Sequence, residues 1–175
     1  MTGCQFRCSL TSQDVCALAK KYEQQPMRME NGAMDAGRRI REECDYTLEN
    51  LMAIVEWKSG RRKALVGSND QSEIEDALQT MVGCKKDRTR IATLVGLCGV
   101  AVPMGSAILT AFDPEQYTVI DVRALQSLQV SKPSPTIDLY LCYLDFCRET
   151  SKRLKVSLRK LDKALWQQSK DRGES

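Results

Sequence analysis

The chain has 175 residues, with 42% hydrophobic and 28% charged side chains and a formal net charge of +3. This length suits one domain, or one core with a smaller lobe, and it can bury a core without disulfide or metal support. The mild positive charge permits an anionic partner but does not by itself indicate one. The chain contains no histidine, which excludes Ser-His-Asp and Cys-His catalysis, HExxH zinc sites and histidine general bases. Any catalysis must therefore use carboxylates, lysines, tyrosines or cysteines.

The eight cysteines would suit a framework of disulfides in a secreted chain. Residues 1–10 are too polar for a signal segment, so we expect a cytoplasmic protein with reduced thiols. The close pairs are Cys4/Cys8 and Cys142/Cys147. Neither is a C-x-x-C, and we therefore expect no metal site. Cys98 and Cys142 lie among apolar residues and are expected to fill the core.

Hydrophobic spacing of helical period predicts an all-α fold. In the first half of the chain, an amphipathic helix is expected at 12–23, and a break follows at 24–32 because of Pro26 and Gly32. A charged, solvated helix is expected at 33–44. The next helix, 48–58, begins at an N-cap on Thr47. A further helix starts after residues 68–70 and stops at Gly83.

The stretch 91–112 carries no charged residue, and by length and hydropathy it is a candidate membrane span. The alternative is two short buried helices joined by a tight turn. Pro103 stands near the middle with Gly99 and Gly105 on either side, which disfavours one continuous helix. We therefore predict a helix at 89–97, a hairpin at 98–102 and a second helix at 103–112, with Pro103 in its first turn.

The remaining residues also predict helices. Asp121 is a good N-cap for a helix at 122–128, and the alternation at 117–120 is too short for a sheet. A loop follows at 131–135 because of its two prolines. Two helices close the chain, one at 137–148 and a last one capped by Ser157.

Three short segments lie in order along the second half: Leu97-Cys98-Gly99-Val100-Ala101, Ala107-Ile108-Leu109 and Val119-Ile120-Asp121-Val122. Together they resemble the helix-hairpin-helix base-excision DNA glycosylases, the endonuclease III and adenine glycosylase superfamily. In that superfamily the hairpin reads L-P-G-V-G, and an aspartate follows about a dozen residues after a leucine of the next helix. Here Asp121 lies twelve positions after Leu109. The resemblance covers about 47–128.

The resemblance implies a two-lobed helical bundle with a helix-hairpin-helix motif, compact over residues 1–175. The core lobe would be 47–128, and 1–46 with 129–175 would form a second lobe. Asp121 would be the catalytic carboxylate, which stabilises an oxocarbenium-like sugar or activates water while a flipped base leaves. The alternative for Asp121 is a purely structural N-cap. The hairpin residues Gly99, Val100, Ala101 and Val102 would hold a DNA phosphate with backbone amides.

Three departures from the family pattern limit what is implied. Members that also cleave the strand carry a lysine where this chain has Pro103, so no lyase reaction is expected. Ala101 replaces the second hairpin glycine, which weakens the expected approach of amides to phosphate. The four-cysteine iron-sulfur loop does not follow Asp121, and no cofactor is expected.

A second unusual segment, 56–62, combines an aromatic side chain with clustered cations. Trp57 and Glu56 are candidates for a base pocket, and Lys58 and Arg61 for phosphate contacts. Arg90, which ends the basic run before the hairpin, is a further candidate for DNA. The alternatives are a buried Trp57, an exposed helix carboxylate at Glu56, and cations that simply favour a helix C-terminus.

Three hypotheses follow. The first is a monomeric, monofunctional DNA N-glycosylase that acts on double-stranded DNA. The second is a non-enzymatic helix-hairpin-helix protein that binds DNA through its phosphate backbone. The third is a helical interaction module without a nucleic-acid partner. In none of them is a membrane the partner.

Overall fold

A computed structural model of the chain describes residues 6–24, 29–130 and 134–173. These ranges contain helices and turns but no strand, and the prediction of an all-α fold is confirmed. Cys4, Pro26 and the start of the predicted loop at 131–135 lie outside the described residues. The helices are α1 (Ser12–Glu23), α2 (Glu30–Arg38), α3 (Leu48–Ser59), α4 (Lys63–Val66), α5 (Gln71–Gly83), α6 (Asp87–Val95), α7 (Val102–Phe112), α8 (Val122–Ser127), α9 (Ile137–Leu154) and α10 (Leu158–Asp171).

The chain divides into two compact units. The central unit is Arg28–Pro114, and the terminal unit combines Met1–Met27 with Glu115–Ser175. These boundaries differ from the predicted lobes, 47–128 and the remainder. The difference arises because α2 packs against α3 and α7, whereas α8 packs against α10. Asp121 therefore belongs to the terminal unit and the predicted hairpin to the central unit.

Helix α7 forms the core of the central unit. All its residues except Pro103 are buried, and it packs against α2, α3 and α6. The uncharged stretch 91–112 is thus two helices, α6 and α7, as predicted. No helix within the described residues combines the length and apolar character that crossing a bilayer requires.

Helix α2 and its π-helical continuation, Arg39–Glu43, correct one prediction. This segment was expected to be solvated, but Ala33, Ala36, Gly37 and Ile40 are buried. A Cβ atom on Gly37 would lie 2.0 Å from the backbone oxygen of Ala111. Small side chains therefore allow α2 to approach the backbone of α7 closely.

In the terminal unit, α10 packs against α1, α8 and α9. Helix α1 begins with a capping box between Thr11 and Asp14, and α10 is capped by Ser157, whose hydroxyl accepts from the amide of Lys160 at 3.2 Å. Helix α9 continues to Leu154, beyond the predicted end at residue 148. Thr47 precedes α3 as predicted, but its side chain makes no capping hydrogen bond.

The cysteines in the described ranges are free thiols. Cys98 and Cys142 are exposed, which contradicts the expectation that they fill the core. Cys147 is buried instead. Among the described residues, no group of three or more acidic or cysteine side chains is placed to hold a metal ion.

Candidate nucleic-acid-binding site

The turn between α6 and α7, residues 96–101, has a defined backbone geometry. Gly99 adopts a φ of 80°, a left-handed conformation that favours glycine. Ala101 is the extended N-cap of α7, and Pro103 occupies the first turn of that helix, where a missing amide costs no helical hydrogen bond. We call residues 96–101 the α6–α7 turn.

Asn69 fixes the α6–α7 turn from a neighbouring loop. Its side-chain oxygen accepts from the amide of Cys98 at 2.7 Å, and its nitrogen donates to the Cys98 carbonyl at 3.0 Å. The same nitrogen donates to the carbonyl of Val66 at 2.7 Å. The side-chain carboxamide of Asn69 thus bonds both the N–H and the C=O of Cys98, as the backbone of a paired strand would.

Gly99 is packed as well as left-handed. A Cβ atom at this position would lie 2.8 Å from Cβ of Leu65 and 2.9 Å from the nitrogen of Val66. Both atoms belong to α4, so the turn and α4 touch only because residue 99 has no side chain. The glycine is therefore required by its conformation and by its surroundings.

The amides of the turn have different roles. Those of Cys98 and Val100 donate within the protein, to Asn69 and to the carbonyl of Leu97. In the part of the chain that the structure describes, the amides of Gly99, Ala101 and Val102 have no protein acceptor. Ala101 and Val102 lie at the N-terminus of an eleven-residue helix, an arrangement that favours an anion, and Gly99 precedes them in the turn.

The two valines of the predicted hairpin contribute little surface, whereas Ala101 is exposed. Val100 is 3% exposed and Val102 is 6% exposed. Both fix the turn in the core of the central unit. Contact with a ligand at these positions must therefore come from the backbone.

Arg90 has a structural role. Its Nε donates to the carbonyl of Cys84 at 2.8 Å, at the end of α5, and its guanidinium lies 5.4 Å from the centre of the Phe112 ring. The side chain thus satisfies an open carbonyl at a helix C-terminus and packs against α7. These contacts fix its guanidinium against the protein, so Arg90 is a weaker candidate for DNA than the sequence indicated.

The end of α3 presents the other predicted residues. Glu56 is exposed and pairs with Lys63 at 3.2 Å, so the exposed-carboxylate alternative describes it. Trp57 and Lys58 are half-buried. Arg61 is exposed in the short 3-10 helix Gly60–Arg62. An indole and two cations therefore lie on consecutive turns of the central unit.

Asp121 begins α8 in the terminal unit. Its side chain accepts from the amide of Ala124 at 2.9 Å, so the predicted N-cap is confirmed. The residue is half-exposed and follows a buried segment without regular secondary structure, 117–120. The cap fixes the direction of one carboxylate oxygen.

An aromatic and cationic cluster in the terminal unit was not predicted from the sequence. The guanidinium of Arg123 and the ammonium of Lys170 each lie 5.2 Å from the centre of the Trp166 ring. The rings of Tyr22 and Trp166 pack nearly perpendicular to each other, with their centres 5.2 Å apart. These side chains come from three helices of the terminal unit, and spacing along one helix could not reveal their meeting.

A groove of about 530 Å³ runs along α1 and the end of α10. Its carboxylates are those of Asp14 and Asp171. Asp14 accepts from Thr11 at 2.7 Å, and Asp171 accepts from Lys21 at 2.7 Å. These hydrogen bonds lower the pKa of both carboxyl groups. No predicted site residue lines this groove. Asp14 forms the capping box of α1, and Asp171 at the end of α10 pairs with Lys21.

A scan against protein-family models found no match for this chain, and searches of curated proteins and of solved structures found none either.

Proposed function

We propose that this protein binds double-stranded DNA through the α6–α7 turn and hydrolyses the N-glycosidic bond of a flipped base with Asp121. The observation that carries the proposal is the group of amides at the start of α7. Gly99, Ala101 and Val102 direct no amide to a protein acceptor within the described ranges, and Asn69 fixes the turn that presents them. A phosphate supplies the acceptor that these amides need.

Asp121 is the carboxylate that the chemistry requires. Departure of a base leaves positive charge on the sugar, and a fixed carboxylate stabilises that charge or activates the attacking water. The hydrogen bond from the amide of Ala124 orients one oxygen of Asp121, and the residue is half-exposed. Pro103 stands where strand-cleaving relatives of the resembled family carry a lysine, so we expect base removal without strand cleavage.

The side chains at the end of α3 are further candidates for DNA contacts of the central unit. Lys58 and Arg61 are proposed to contact phosphates, and Trp57 to stack on the base with Glu56 beside it. We also propose that the protein acts as a cytoplasmic monomer, in keeping with the free thiols of the described cysteines.

The second candidate is a non-enzymatic protein that binds the DNA backbone. The cap on α8 favours it, because a hydrogen bond from Ala124 gives Asp121 a structural role without any chemistry. Both candidates use the α6–α7 turn in the same way. They differ only in what Asp121 does.

Binding is tested by fluorescence anisotropy with an undamaged duplex between about 50 and 200 mM salt. Each lost phosphate contact should reduce the slope of log affinity against log salt by about 1. We expect this change for Lys58→Gln and for Arg61→Gln, but not for Lys152→Gln, an exposed cation of α9. Absence of measurable duplex affinity across this range of salt would support the interaction module instead.

Catalysis is tested with a panel of duplexes that carry damaged or mispaired bases. Each duplex is incubated with the protein and then treated with alkali, which converts abasic sites to breaks. We expect breaks after alkali and none before it. Binding without abasic sites on every duplex would favour the non-enzymatic candidate.

A further inference from the structure

Helix α9 fixes the segment that leads to Asp121. The hydroxyl of Tyr143 donates to the carbonyl of Val119 at 3.1 Å. Arg148, further along the same helix, donates from Nε to the carbonyl of Gln116 at 3.0 Å, and its guanidinium lies 5.5 Å from the centre of the Tyr117 ring. Two side chains of one helix thus bind two carbonyls of the segment just before Asp121.

The segment just before Asp121 is buried and lies outside the regular secondary structure. Tyr117, Thr118, Val119 and Ile120 are all buried, yet they belong to neither a helix nor a strand. A buried carbonyl without a hydrogen bond is unfavourable, so the Tyr143 hydroxyl specifies where Val119 lies. Because Asp121 is two residues further along the chain, the position of Val119 limits where the carboxylate can lie.

We propose that Tyr143 is a positioning residue for Asp121. This inference deepens the proposed function and rests on it for its catalytic part. Tyr143 acts through the Val119 carbonyl and the backbone, while the amide of Ala124 orients the carboxylate itself. Helix α9 thus fixes the backbone before Asp121, and α8 fixes the direction of its side chain.

The phenol of Tyr143 stays protonated and can therefore act as a constant hydrogen-bond donor. Tyr143 is fully buried, and this burial raises the pKa of its phenol well above the usual range. The nearby Cys147 and the charges of Asp162 and Asp121 add to the effect. The hydroxyl therefore keeps its proton and donates to Val119 throughout the physiological pH range.

The test compares Tyr143→Phe with Tyr140→Phe in the full chain. Tyr140 is equally buried on the same helix, and the substitution removes one hydroxyl from a ring of the same size in each variant. A catalytic group that shifts by about 1 Å loses roughly a hundredfold in rate. We expect a 10- to 100-fold lower single-turnover excision rate for Tyr143→Phe, with duplex affinity unchanged within about twofold. Tyr140→Phe should retain the wild-type rate.

A second measurement needs no activity. The amide of Ala124 donates to the Asp121 carboxylate at 2.9 Å, and we expect this hydrogen bond to slow its hydrogen exchange. We expect it to exchange at least about fivefold faster in Tyr143→Phe than in Tyr140→Phe, while amides in the middle of α10 stay equal in the two variants. Equal exchange at Ala124 would overturn the positioning role. Absence of excision by the wild-type protein would refute the proposed function alone, because hydrogen exchange would still decide the role of Tyr143.

Discussion

Replacing Gly99 by alanine tests whether the α6–α7 turn has the conformation on which the account depends. A left-handed alanine costs about 1–2 kcal/mol relative to glycine. The new Cβ atom would also lie 2.8 Å from Leu65 Cβ and 2.9 Å from the Val66 nitrogen, and such overpacking costs about 1–3 kcal/mol. The free energy of unfolding should therefore fall by roughly 2–5 kcal/mol, a large part of the stability of an ordinary domain.

Urea unfolding followed by circular dichroism measures this loss, and Gly83→Ala is the matched control. Gly83 ends α5 in the same unit, and a Cβ atom there meets nothing within 4 Å. We expect the control to change the free energy of unfolding by less than about 1 kcal/mol. Alanine lowers the entropy of the unfolded chain, and this effect stabilises the fold. Gly99→Ala should also lose duplex affinity at a temperature where it remains folded. If it unfolds at the same urea concentration as wild type and binds duplex equally well, the described turn is incorrect.

Three further predictions concern packing and reactivity. Gly37→Ala should melt at a lower temperature than wild type and lose at least about 3 kcal/mol of unfolding free energy, because its Cβ atom would overlap the backbone of α7. Gly32→Ala on the same helix meets nothing within 4 Å and should be neutral or stabilising; a scan in which the two variants melt together would contradict the close approach of α2 to α7. Asn69→Ala should lose about 1–2 kcal/mol in urea unfolding, because it removes both hydrogen bonds to Cys98 from a half-exposed site; an unchanged midpoint would mean that water replaces them fully. Burial raises the pKa of the Cys147 thiol, so iodoacetamide at pH 8 should label the exposed cysteines first and Cys147 only after unfolding; mass spectrometry that finds Cys147 labelled as fast as the others would refute its burial.

Features that depend on nearby residues could be predicted from the sequence. Pro103 with its flanking glycines separated α6 from α7, and Asp121 was identified as an N-cap. Both conclusions use interactions within one or two turns of chain, and backbone sterics and capping determine them. The all-α fold follows from the same periodic patterns.

Burial by small residues could not be predicted. Helix α2 has charged residues on most of its turns, and its apolar face consists mainly of alanine and glycine. Such a face has little hydrophobic signal, although it buries well where a neighbouring backbone comes close, as at Gly37. Cys98 and Cys142 were predicted to be buried because their neighbours in sequence are apolar, yet both side chains are exposed.

Only part of the candidate site could be predicted from the sequence, because several of its contacts join residues that are far apart along the chain. Arg90 was predicted to contact DNA, but it binds carbonyls at the end of α5 and packs against the ring of Phe112. No role in the site was predicted for Asn69 or Tyr143, because their hydrogen-bond partners lie 29 and 24 positions away along the chain. Contacts of this range depend on the tertiary fold, and local patterns carry no information about them.

The most direct test of the proposed function compares abasic-site formation by the wild-type protein, Asp121→Asn and Asp76→Asn on the damaged-base duplexes. Asparagine caps a helix about as well as aspartate, so Asp121→Asn removes the charge while it keeps the hydrogen bond from Ala124. Asp76 is an exposed carboxylate of α5 and controls for the loss of one negative charge. We predict that excision falls at least about a hundredfold in Asp121→Asn alone, with duplex affinity retained. Equal excision by Asp121→Asn and the wild-type protein would contradict the proposed role of Asp121.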